Sequence, residues 1–76
     1  MNRKEVRPMK KIPVRSYSTK ELVAILEADG WVYQYTRGDH MYFKHPVKPG
    51  KLTVQKNKKN LRLDDVRDTL TLAGLR

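Results

Sequence analysis

Apolar residues along the chain follow two periods. From Leu22 the spacing is helical: Leu22, Ile25 and Leu26 recur on one face with Val23 beside them. The run opens on "STKE", where Ser18 as N-cap and Glu21 three residues on form a capping box that satisfies two backbone donors reciprocally. "DGW" closes it: Gly30 suits the left-handed position after the last turn, and Trp31 can fold back onto that turn.

The period then changes to two. "WVYQYT" (31–36) is rich in aromatic and β-branched residues. "HMYFKH" (40–45) alternates, with Met41 and Phe43 on one face and His40, Tyr42 and Lys44 on the other. "KLTV" (51–54) places Leu52 and Val54 together. The turn signals "RGD" and "PVKPG" separate the three strands. A second helix is predicted from about Arg62 to Ala73, with Leu63, Val66, Leu70 and Ala73 on one face. Asp64 and Asp65 lie in its first turn, where the macrodipole favours them, and Gly74 ends it.

The order is α-β-β-β-α, an α+β class. Its simplest packing is a three-stranded antiparallel sheet with both helices on one face, over Met41, Phe43, Leu52 and Val54. His40, Tyr42 and Lys44 are then expected on the open face. Residues 1–11 show neither period and read as a flexible basic arm, with Pro8 breaking any helix; residues 12–76 form the domain.

Length and composition narrow the picture. Seventy-six residues allow one domain with one small core. There is no cysteine for a disulfide or thiolate site. No apolar run approaches the roughly 18 residues of a membrane span, and no signal-peptide pattern opens the chain, so a soluble cytoplasmic protein without membrane contact is expected. Charge matters more. Seventeen Lys and Arg face eight Asp and Glu, a net of +9. Residues 1–15 carry six bases and one acid, residues 16–60 eight and four, and residues 61–76 three and three. The excess lies ahead of the second helix and favours a polyanionic partner, most simply nucleic acid.

Most catalytic chemistries find no support. His40 and His45, five apart, point to opposite faces of a strand, and no HExxH or acid cluster accompanies them, so no metal site is expected. No nucleophile elbow surrounds Ser16 or Ser18, and the glycines sit at turns and helix ends rather than in a phosphate loop, so no cofactor is expected. Cleavage of RNA asks for less, because RNA supplies its own nucleophile, the 2′-hydroxyl. A base must take that proton, a cation must steady the phosphorane oxygens, and an acid should protonate the leaving oxygen. Imidazole as a residue type can fill either proton-transfer role. His40 follows a turn on the predicted open face, with Arg37, Tyr42 and Lys44 as neighbours. Lys56, Lys58 and Lys59 add loop charge suited to phosphate. Trp31 and Phe43 are expected in the core, and His45 before Pro46 reads as a structural strand end. A module that holds RNA without cutting it is the alternative on these residues.

The stretches "IPVRSYSTKELVAILEADGW", "RGDHMYFKHPVKPGKLTV" and "VRDTLTLAGL" resemble, in order and spacing, the HicA family of toxin mRNA interferases over residues 12 to 75. The resemblance implies a fold like that of double-stranded-RNA-binding domains. It implies a ribosome-independent endoribonuclease that cleaves mRNA, and a HicB-type antitoxin that neutralises it. The family's Gly-Ser-His motif falls on Gly38, Asp39 and His40, which makes His40 the implied catalytic residue. Asp39 departs from the motif's serine; aspartate serves the turn equally but repels phosphate.

Overall fold

The computed structural model describes residues 12–76; the predicted basic arm, 1–11, lies outside them. The elements are α1 (Thr19–Ala28), β1 (Val32–Arg37), β2 (His40–Lys44), β3 (Lys51–Gln55) and α2 (Leu63–Leu72). The strands form one antiparallel sheet in the order β1-β2-β3, so the α-β-β-β-α order and the layering agree with the sequence reading.

Local chemistry fixes both helix ends. The Ser18 hydroxyl accepts from the Glu21 N–H at 3.1 Å, and the Glu21 carboxylate accepts from the Ser18 N–H at 3.0 Å. The bond from the Ser18 backbone holds the Glu21 carboxyl below its ordinary value, with Arg15 and the Ser18 side chain adding to the effect. At the other end Trp31 N–H donates to Leu26 C=O and Gly30 N–H to Glu27 C=O, the paired bonds of a Schellman motif. Gly30 has φ +104°, which a side chain would strain. α2 ends the same way, with Leu75 N–H on Leu70 C=O and Gly74 N–H on Thr71 C=O.

The helices cover one face of the sheet. Phe43, Leu52 and Val54 from the strands meet Leu22, Leu26, Val66, Leu70 and Ala73 from the helices, with Tyr17, Trp31 and Leu61 filling the rim. Two details depart from the pattern analysis. Leu63 was expected on the apolar face of α2 but is 55% exposed. It is the first residue of the helix, before the turn that faces the sheet, and Leu61 and Thr69 bury instead. Trp31 was placed at the start of a strand but closes α1, and β1 begins at Val32.

The helical layer sits over β3 and β2 and leaves β1 overhanging. Every residue of β1 is exposed. Residues 12–17 run back along the helices, anchored by Ile12 N–H on Leu75 C=O and by Leu61 N–H on Tyr17 C=O. Thr19 ties α1 to the end of β3: its hydroxyl donates to Gln55 C=O at 2.6 Å and accepts from Lys58 N–H at 2.9 Å.

Candidate nucleic-acid interface

The β1–β2 hairpin turns on Gly38 and Asp39. Gly38 has φ +60°, the left-handed conformation wanted at the first central position of a type II′ turn. The tight turn sets Arg37 directly opposite His40 across the ladder. On the next strand His40 faces Gln55, and Lys56 N–H donates to Asp39 C=O at 2.8 Å, so β3 is locked to the hairpin tip. His40 and Arg37 are both exposed there.

Alternation carries the same face along β2 to Tyr42 and Lys44. On β1 a one-residue bulge between Tyr33 and Tyr35 changes which side chains join them. Below the bulge Tyr33 lies opposite Phe43 and turns to the helix side, where its ring meets Phe43 edge-on at 5.9 Å. Above it Tyr35 lies opposite Tyr42 on the open face. The two rings stack, with centroids 4.8 Å apart and planes inclined 23°. From the β3 side the Lys51 ammonium lies 5.1 Å from the Tyr42 centroid. The open face therefore presents two rows. One holds Arg37 and His40; the other holds Tyr35 and Tyr42, with Lys51, which is paired with Lys44 beyond it, reaching back over Tyr42.

The predicted residues divide accordingly. Arg37, His40, Tyr42 and Lys44 share the open face, and Lys56 stands at its tip. Lys58 and Lys59 do not join them; with Val23, Ala24, Glu27 and Met41 they line a groove beside α1, on the helix side. Tyr35 and Lys51 belong to the face but were not among the sequence candidates. Alternation in "KLTV" was enough to place Lys51 there. Alternation back from Arg37 places Tyr35 there too, whereas nothing in "VYQYT" marks the bulge that turns Tyr33 away.

His45 has a different occupation. Its Nε2 lies 2.8 Å from Asp29 C=O, while its Nδ1 is 3.0 Å from both Val47 N–H and Lys48 N–H. Two backbone donors at Nδ1 leave the ring proton on Nε2, which donates to Asp29. The ring also meets Trp31 edge-on at 5.2 Å. Beside it Lys48 Nζ bonds Asp29 Oδ2 at 2.6 Å and Ala73 C=O at 2.9 Å, joining the C-terminal ends of both helices. Both His45 nitrogens are thus engaged in structure.

Acidic charge gathers elsewhere. Asp65 and Asp68 on α2, with Thr69, Leu72 and one cation, Lys51 of β3, line a groove along the edge of β3 that includes His40. Among the described residues no group of three or more His, Cys, Asp or Glu side chains comes together to hold a metal ion. No described helix is long and apolar enough to cross a membrane.

A family model described as the HicA toxin of bacterial toxin-antitoxin matches residues 19–75, which spans both helices, the whole sheet and every residue of the open face. No curated protein matches the chain.

Proposed function

Because the chain belongs to the HicA toxin family of bacterial toxin-antitoxin systems, we propose that it is an endoribonuclease whose open sheet face binds and cuts mRNA. The observation that carries this reading is an exposed imidazole at a rigid hairpin tip, paired across the ladder with an arginine on a basic face. Arg37 and Lys44 hold phosphate oxygens, and Arg37 is placed to steady charge on the phosphorane. The substrate's 2′-oxygen attacks the adjacent phosphorus, and the bond from phosphorus to the 5′-oxygen breaks. One proton leaves the 2′-hydroxyl and one joins the departing oxygen. His40 performs one of these transfers. The step consumes no cofactor. Lys56 adds charge at the tip, and Lys58 and Lys59 act at longer range.

The partner that restrains the toxin is a HicB-type antitoxin. A protein covering this face meets Arg37, Lys44 and Lys51, so its contact surface is acidic and the complex weakens as salt rises. Cleavage of mRNA places the activity in the cytoplasm.

The purified protein incubated with labelled RNA in EDTA is expected to yield fragments. His40→Ala is expected to cut 10²- to 10⁴-fold more slowly, the range of a lost proton-transfer group. Parent-rate cleavage by that variant refutes the role of His40. RNA binding without any fragments from the parent protein leaves a binding module instead.

A further inference from the structure

The Tyr35–Tyr42 pair is more than a cross-strand contact in one respect: its outer face is open. Tyr42 is covered on one side by Tyr35 and approached on the other by Lys51. Among the described residues the one aromatic ring stacked on Tyr35 is that of Tyr42, and Tyr35 keeps 42% of its surface exposed. β1 is an edge strand, so no further strand stands beyond it among the described residues. The bulge also sends Tyr33 to the opposite face, so it does not screen Tyr35. A stack of ammonium, ring and ring thus ends on a bare aromatic surface.

We infer that this bare face of Tyr35 is a base-stacking subsite, and that the nucleic acid taken by the sheet is single-stranded. A free base continues the stack as a fourth layer, which needs no sequence-specific contact because every base has a π-face. A duplex cannot do this, since its bases are already stacked inside the helix. The subsite lies two residues from Arg37 along β1, about 7 Å. That spacing lets a base rest on Tyr35 while the same strand's backbone passes Arg37 and His40. The inference rests on the proposed function only in taking RNA as the ligand, and it holds whether or not the strand is cut.

The test uses an uncleavable probe, a fully 2′-O-methylated single-stranded RNA carrying 2-aminopurine, whose fluorescence falls when its base stacks. Quenching on binding the parent protein and Tyr35→Phe is expected. For Tyr35→Leu, with its melting temperature measured alongside, affinity is expected to fall about 5- to 150-fold, the equivalent of one base stack, with the quenching lost. The same probe annealed to its complement is expected to bind more weakly at equal salt. Undiminished quenching and affinity in a folded Tyr35→Leu, no binding by the parent, or preference for the duplex each overturns the inference. Cleavage of ordinary RNA by Tyr35→Leu at the parent rate alongside unchanged probe binding removes the subsite but spares the nuclease. Loss of probe binding in a protein that never cuts RNA does the reverse.

Discussion

Replacing His45 with alanine separates the two histidines. The change removes the donor to Asp29 C=O and the acceptor shared by Val47 and Lys48, together with the ring edge on Trp31. A net hydrogen bond contributes about 1 kcal/mol and an aromatic edge contact about 0.5–1.5 kcal/mol. Because one nitrogen serves two donors and the site is only half-buried, the expected loss is about 2–4 kcal/mol. That is a large share of the roughly 4–11 kcal/mol that a domain of this length carries. At about 4–8 °C per kcal/mol the melting temperature falls by roughly 8–32 °C. Gly30 supplies an independent check. A Cβ there sits 2.7 Å from His45 Nε2, and φ is +104°. Gly30→Ala therefore carries backbone strain of about 1–2 kcal/mol and also pushes the imidazole off Asp29. In a protein already lacking His45 only the strain remains. The assay is a double-mutant cycle by thermal and urea unfolding, followed through the fluorescence of Trp31. The expected coupling is about 1–2 kcal/mol; additivity within about 0.5 kcal/mol refutes the structural role given to the His45–Asp29 bond. Below its melting temperature His45→Ala should keep the RNA-cutting rate of the parent, while His40→Ala should melt within a few degrees of the parent and lose the rate.

Other expectations follow from the same contacts. Ser18→Ala removes the N-cap of α1 and should cost about 1 kcal/mol in urea unfolding. Glu21 has its folded value lowered from 4.5, so its contribution is complete above that value and is lost as pH falls through the lower one; the melting difference between Glu21→Ala and the parent should therefore shrink in acid below about pH 4.5. Lys44→Ala should reduce the slope of log affinity for single-stranded RNA against log salt by about 0.7.

Much of this was legible because it is local. The capping box needs only Ser18 and Glu21, the helix stops need only Gly30 and Gly74, and alternation alone places His40, Tyr42 and Lys44 together. What was not legible depends on partners distant in sequence or on a shift in register. The His45 ring finds Asp29 sixteen residues away, a meeting that only the finished fold arranges. The bulge at Gln34 is a single extra residue, yet it reverses the face of everything before it. Without it Tyr33 and Tyr35 would share a side, and the open face would present both rings. Lys58 and Lys59 look equivalent to Lys56 in sequence, but the bonds between Thr19 and Lys58 pull their loop toward α1 and away from His40.

Charge placement also bears on which side of His40 the proposed RNA strand would take. On one side of His40 lies the groove along the edge of β3, where Asp65 and Asp68 outnumber the single cation Lys51. A phosphate entering there meets carboxylates, one of which, Asp68, is only loosely offset by exposed Arg67 at 3.7 Å. On the other side the sheet offers Arg37, then the exposed ring of Tyr35 at the β1 edge. On the proposed function, a polyanion at His40 is therefore expected to be repelled from the α2 side and held on the β1 side, where the overhanging strand leaves room that the helices do not fill. The offset of the helical layer, which leaves the sheet incompletely covered, would then keep that side open. The same asymmetry would let an acidic antitoxin surface of the proposed kind seat on the cations of the open face, Lys51 included, with less to gain over Asp65 and Asp68.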